Sequence, residues 1–387
     1  VARLKSRYFE IALFAGFAVF LPALPVASKE ARPYRSRHLE QGLSALDRKD
    51  YREALRQFEF AAVDNPRSAE AHLGRARAYH ALGRKNQALG EVTRAIKLDP
   101  KCADAYFLRA KLYESRKDPG RVVEDAGQAI RYNPGMVEAY CLRAKAYYMS
   151  SEIDSGEDNT RAGINDLKTA IRLDPKCSDA YEYLGVWQCA RKEYQEALKS
   201  FNKAIELSPK EDKLYHYRSM IYSGLKQYDK ALVDTSHYLE LNPHDGKAWL
   251  IRGSLYEQIG DRKKAYDDYS KAIEVGRGRE FRAFFQRGKL AMRLGKYQVA
   301  RDDFNKIIQA NGFDDEAFKG RGDAYMALGD FSLAISDYSE AISLCPNVPA
   351  YYQARSQAYL RAGRKDLAGK DASKAAKLKA KPAVEKI

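Results

Sequence analysis

This chain of 387 residues offers little to covalent catalysis. It holds no Gly-rich phosphate loop, no HExxH and no Gly-x-Ser-x-Gly elbow, which excludes those routes to phosphate binding, zinc proteolysis and serine hydrolysis. Histidine is scarce, six in all, and His72 and His80 stand eight apart on one helix, too far to share a metal. Five cysteines (Cys102, Cys141, Cys177, Cys189 and Cys345) form no CxxC and no metal-ligand spacing. The fold therefore does not depend on disulfides, and the cysteines read as buried or turn residues, although one pair could form outside the cytoplasm. No cofactor, metal or small-molecule substrate is implied. A long apolar run is also missing: the stretch Ile11–Leu21 falls short of the roughly 18 residues that a membrane span needs.

Charge is abundant, but it is concentrated at the ends. The formal net charge is +15, of which residues 1–38 supply +5 and residues 361–387 supply +6. The 322 residues between them carry only +4 and mix both signs, as a solvated surface does and a phosphate-tracking stripe does not. That distribution argues against nucleic acid as the partner. The basic C-terminal segment reads as the polar cap of a terminal repeat, with an anionic surface or nucleic acid as its alternative ligand.

A beat runs through the rest. Small residues recur at Gly42, Ala76, Ala110, Ala144, Gly185, Ser219, Gly253, Gly288, Gly322 and Ser356, mostly 34 apart. Taking these as position 8 of a repeat, Tyr fills position 11 in seven units, Ala fills positions 20 and 27 in eight, and Pro fills position 32 in seven. Positions 4, 8 and 11 share one helix face, and positions 20, 24 and 27 share another. Small residues let the two backbones approach, and aromatics fill what remains. Gly83, Gly260, Gly295, Gly329 and Gly363 at position 15 suit a left-handed helix cap, and the prolines stop the second helix. Each unit is a helical hairpin.

This pattern resembles that of the tetratricopeptide-repeat (TPR) family. The resemblance covers an array over residues 35–382, divided as 35–68, 69–102, 103–136, 137–177, 178–211, 212–245, 246–280, 281–314, 315–348 and 349–382. It implies an all-α solenoid, a right-handed superhelix whose first helices line a concave groove for a peptide or partner helix. Groove positions carried over from the family include Arg77, Lys111, Lys145, Tyr148, Glu182, His216, Lys289 and Gln357. Arg77, Lys111 and Lys145 share position 9 and form a candidate basic row for an acidic peptide or a C-terminal carboxylate. The family's Asn-based carboxylate clamp is absent, so heat-shock tail binding is not carried over. Arg277 and Gly312 stand where proline is expected, which predicts looser junctions there.

Comparing the repeats among themselves yields a second signal. Position 7 is Arg75, Arg109, Arg143, Arg218, Arg252, Arg287, Arg321 and Arg355, and position 23 of those units is Glu91, Asp125, Asp166, Asp234, Asp268, Asp303, Asp337 and Asp371. The two units without the Arg, which carry Gln41 and Leu184, also lack the acid, having Gln57 and Ser200. This covariation predicts an ion pair within each hairpin, a structural role rather than a ladder of ligand-binding arginines.

The N-terminus follows a different plan. Arg3, Lys5 and Arg7 precede the apolar run, and Val26, Ala27 and Ser28 suit cleavage after Ser28. Residues 1–28 thus read as a secretory signal peptide, with an uncleaved membrane anchor as the alternative; residues 29–34 form a linker and 383–387 a tail. Seven residues are inserted in the fourth repeat, within Ser150–Thr160, an acidic loop without calcium-loop spacing. The expected function is a non-enzymatic, exported scaffold or adaptor that binds protein. A membrane-tethered co-chaperone or assembly factor is the alternative, and it requires the N-terminal segment to stay as an anchor.

Overall fold

The computed structural model describes residues 37–151 and 157–380. The expected signal or anchor at 1–28, the linker at 29–34, the middle of the acidic insertion and the tail at 383–387 lie outside the described residues. All twenty elements among the described residues are α-helices. They fall into two compact units, one ending at Leu112 and the other beginning at Tyr113.

The first unit holds α1 (Arg37–Asp47), α2 (Tyr51–Asp64), α3 (Ala69–Ala81), α4 (Lys85–Leu98) and most of α5 (Ala103–Glu114). The second opens with α6 (Pro119–Tyr132), α7 (Val137–Ser151), α8 (Glu157–Leu173), α9 (Ser178–Ala190) and α10 (Tyr194–Leu207). It continues with α11 (Asp212–Gly224), α12 (Tyr228–Leu241), α13 (Gly246–Gln258), α14 (Arg262–Val275) and α15 (Phe281–Arg293). It closes with α16 (Tyr297–Ala310), α17 (Asp315–Leu328), α18 (Phe331–Leu344), α19 (Pro349–Arg361) and α20 (Lys365–Ala380). Within each unit, consecutive helices pack as hairpins and each hairpin packs on the next.

Local chemistry explains the punctuation. The described turns after the first helices place one residue at positive φ, and glycine supplies it at Gly83, Gly260, Gly295, Gly329 and Gly363. Where glycine is absent, lysine takes the same strained conformation: Lys49, Lys117, Lys192 and Lys226 have φ between 57° and 63°. After the second helix, an Asx side chain closes the turn around proline. Asn65, Asp99, Asn133 and Asp174 each accept the amide N–H two residues on, at 2.9–3.1 Å.

Between the two helices of a hairpin, position 8 meets position 24 edge-on. A Cβ placed on Gly42, Gly185, Gly253 or Gly322 would fall 2.7–2.8 Å from the ring of Phe58, Phe201, Tyr269 or Tyr338. On Gly288 it would lie 3.1 Å from Phe304. Those rings are fully or almost fully buried. Where position 24 is the smaller Val92 or Leu167, position 8 is Ala76 or Ala144, each completely buried. Ring and glycine are thus one packing solution, and alanine with an aliphatic side chain is the other. The junction after Gly312 is not loosened as expected: Gly320 of α17 packs so close to Phe304 of α16 that a Cβ there would fall 2.5 Å from the ring. At the other junction, Arg277 and Gly278 both turn to positive φ and accommodate the extra residue of that repeat.

Candidate functional site

The arginines of position 7 sit between helices and bind in a fork. Arg218, Arg252, Arg287, Arg321 and Arg355 each donate from Nε and Nη2 to both oxygens of Asp234, Asp268, Asp303, Asp337 and Asp371, at 2.6–2.9 Å. Arg143 does the same to Asp166 at 2.7 Å, across the insertion. Each of these aspartates is buried. The carboxylate raises the pKa of its arginine, while burial pushes Asp303 upward against the pull of Arg287. The second repeat departs from the pattern: His72 Nδ1 takes Glu91 at 2.7 Å, and Arg75 reaches it only through Nη1 at 3.3 Å. Arg109 lies in the first unit, and Asp125, buried, in the second.

The guanidinium also serves a second junction. Its Nη1 donates back to the preceding hairpin at position 25: Arg218 to Asn202, Arg252 to Ser236, Arg287 to Ser270, Arg321 to Asn305 and Arg355 to Ser339, at 2.6–3.2 Å. Aromatics at positions 4 and 11 flank it, as Trp249 and Tyr256 flank Arg252 at 4.6 and 5.8 Å. The position-4 side chain in turn donates to the carbonyl of the preceding proline: Trp249 to Pro243 at 2.9 Å, Tyr215 to Pro209 at 3.0 Å and Tyr352 to Pro346 at 3.1 Å. Three of the five N–H donors of each of these guanidiniums are thus held by protein acceptors, one at every nitrogen, which fits a structural role.

The groove positions are less uniform. Arg77 is bound to Asp104 at 2.6 Å, and Lys145 to Glu114 at 2.7 Å beneath the ring of Tyr183. Lys111 lies over Phe107 and, after burial, helps to lower the pKa of His80. Two of the three cations of the basic row thus already hold a carboxylate from the adjacent repeat. Of Glu182 only 5 % is exposed, and it binds Lys213 at 2.9 Å. Burial raises the pKa of Glu182 and Lys213 opposes it; the more exposed ammonium is in turn held up by the carboxylate. Tyr148 packs edge-on against Trp187 at 5.2 Å, and His216 leans on Tyr238 at 5.3 Å. Lys289 and Gln357 are exposed.

Lys289 borders an apolar-floored cleft. About 540 Å³ in volume, it is formed by α15, α17 and the start of α19. Phe285, Met292, Phe304 and Tyr351 form its floor. Most charges around it are internally matched: Arg293 pairs with Glu257 at 2.6 Å and Lys319 with Asp323 at 2.5 Å. Tyrosines from the second helices reach the same acids from below, Tyr269 donating to Glu257 at 3.0 Å and Tyr338 to Asp323 at 2.9 Å. Lys289 has no carboxylate partner among the described residues; its ammonium lies 5.4 Å from the Phe285 ring. Among the described residues there is no group of three or more His, Cys, Asp or Glu side chains able to hold a metal, and no helix long and apolar enough to cross a membrane.

Family models settle the ancestry. Three of them, each described as a tetratricopeptide repeat, match residues 45–112, residues 156–212 with 285–349, and residues 246–275, together more than half of the chain. The chain belongs to the tetratricopeptide-repeat family. Among solved structures this TPR protein is similar to MamA (23% identity, TM-score 0.43, 46% of this chain and 96% of that one). It is also similar to a TPR protein from Parabacteroides merdae (26%, 0.42, 61% and 93%) and to pilF of Pseudomonas aeruginosa (17%, 0.48, 54% and 92%). No curated protein matches. TPR proteins are typically protein-interaction scaffolds.

Three features of the TPR array escape a reading by position type. One is the back-bond from Arg to Ser or Asn at position 25, visible as a polar residue there in the fifth to ninth repeats. Another is the glycine-to-ring rule, hidden when Gly, Ala and Ser are grouped as small. The third is lysine at position 15, which marks the left-handed turn in four of the repeats that lack glycine there.

Proposed function

We propose that this TPR protein is an exported, non-enzymatic scaffold that takes a peptide or partner helix into the cleft of its eighth to tenth repeats. The observation that supports this is the cleft's composition: an apolar floor, a rim on which Arg293 and Lys319 are matched, and two charges of opposite sign, Lys289 and Glu316, left for a partner. An apolar side chain of the partner would bury against Phe285 and Met292, and a neighbouring carboxylate would meet Lys289. Methionine at Met292 adapts its shape to a ligand better than a branched side chain. Export is supported by the charged, apolar and small-residue order of residues 1–28.

The test is a photo-crosslinking amino acid placed at Lys289 in intact cells, with the exposed Lys199 on α10 as the control position. A discrete adduct from position 289 alone is the expected result. Equal adducts from both positions, or none from 289, would overturn the cleft reading. The mature chain beginning near Lys29 in an extracytoplasmic fraction supports export; a full-length chain sedimenting with membranes favours the tethered alternative.

A further inference from the structure

Two of the five cysteines meet. Cys141 is carried by α7 and is buried in the core that α7, α8 and α9 share with Leu167 and Trp187. Cys177 is the N-cap residue of α9, half-buried and packed against the same cluster. The two thiols interact directly, side chain to side chain. The other three are placed differently. Cys102 belongs to the first unit, Cys189 packs in the next core along with Phe201, and Cys345 faces the carboxylate of Asp315.

Environment divides the labour between the pair. Cys177 has its thiol lowered, first by the hydrogen bond from Cys141, against burial, and with help from the nearby Ala180 amide. Asp179 and Asp174 work against that shift. The helix N-terminus favours the anionic form as well. Cys141 is pushed the other way, by the same bond and then by burial, with Asp179 and Glu138 adding to it. A half-buried thiol at a helix N-terminus, packed against the same core as a buried thiol, is the arrangement of an attacking and a resolving cysteine.

We propose that Cys141 and Cys177 form a reversible intrachain disulfide by exchange with a low-molecular-weight disulfide, tying the first helix of repeat 137–177 to the start of repeat 178–211. The Cys177 thiolate attacks one sulfur of oxidised glutathione; that disulfide breaks and one glutathione thiolate leaves. Cys141 then attacks Sγ of Cys177, and the second glutathione departs with the proton of Cys141. Two protein thiols are oxidised, and one glutathione disulfide becomes two thiols. The link would close a loop that contains α8 and the acidic insertion, which removes freedom from the unfolded chain. In a reducing compartment the pair stays a dithiol; in an oxidising one it becomes a staple at the repeat whose regular length the insertion disrupts.

The experiment uses the full chain equilibrated over a series of reduced-to-oxidised glutathione ratios, quenched in acid, alkylated and mapped by mass spectrometry. The expected product is a Cys141–Cys177 linked peptide, reversed by dithiothreitol, with Cys102, Cys189 and Cys345 alkylated at every ratio. The melting temperature rises with the link and returns on reduction. C141S is expected to halt at a glutathione adduct on Cys177, and C177S to give neither product. Alkylation of all five thiols in oxidised glutathione, or a native chain that keeps glutathione on Cys177 without closing the link, would overturn the proposal. Both readings come from the native chain and stand even if a serine variant fails to fold.

Discussion

Replacing Arg252 with Leu tests what the buried forks contribute. Asp268 is 5 % exposed and receives both of its hydrogen bonds from Arg252, at 2.8 and 2.9 Å. Removing the guanidinium leaves either a buried unpaired carboxylate or a protonated one. The first costs about 3–5 kcal/mol. The second, raising an ordinary carboxyl pKa to neutrality, costs on the order of 4 kcal/mol at pH 7. The chain limits this penalty through its own example, because the fifth repeat carries Leu184 and Ser200 at these positions and Ser200 donates to Gln188 at 2.7 Å. Arg252→Leu with Asp268→Ser should therefore lose the charge-assisted bond to Ser236 and the stacking on Trp249 and Tyr256, about 2 kcal/mol. Whatever Asp268→Ser costs by itself, the coupling between the two changes is then at least about 2 kcal/mol. Urea unfolding followed by circular dichroism gives the totals. Hydrogen exchange resolves whether the loss is confined to α13 and α14, as nearest-neighbour stability requires. If the double variant costs as much as the two single changes added together, the fork is ordinary packing and the charge account is wrong.

Three further outcomes follow from other contacts. Gly253→Ala drives a methyl into the Tyr269 ring and should cost about 1–3 kcal/mol, with Tyr269→Leu restoring most of it in the same thermal melt. Lys226→Gly relieves a left-handed turn and should stabilise by about 0.5 kcal/mol after the entropy of glycine is discounted; combining it with the same change at Lys49, Lys117 and Lys192 should give about 2 kcal/mol, and a destabilised quadruple variant would refute the strain. Glu182 has its pKa raised by burial, so in the folded state it keeps its proton to higher pH than when unfolded. Its contribution is fully present below the ordinary carboxylate range and is lost as pH rises through the raised value. Glu182→Gln should thus melt higher than the native chain at pH 7 and match it in acid; a gap that widens in acid would contradict the sign.

Much of the architecture was legible because ten imperfect copies vote on each position. The fork could be read as well, since Gln41 with Gln57 and Leu184 with Ser200 lose both partners together. The state of the groove could not be read this way. Asp104 and Glu114, which neutralise Arg77 and Lys145, come from different helix positions of a neighbouring repeat, so no fixed column of the repeat exposes them. Burial hid Glu182 for a similar reason: its neighbour Lys213 begins the next hairpin. The thiol contact joins α7 to the start of α9, and Cys141 is the sole cysteine at its repeat position, so no second copy of the pair exists to report it.

The backward bond of each arginine has a consequence for how such a chain can change length. From the sixth repeat to the tenth, every incoming guanidinium finds a serine or asparagine waiting on the hairpin before it. Losing or duplicating one whole unit in that stretch would still bring arginine to serine or asparagine, so these segments are interchangeable parts. Excising the fifth repeat would instead bring Arg218 up to Lys168, cation against cation. The second half of the protein is thus free to grow or shrink by recombination, while the fourth and fifth repeats are tied to their neighbours.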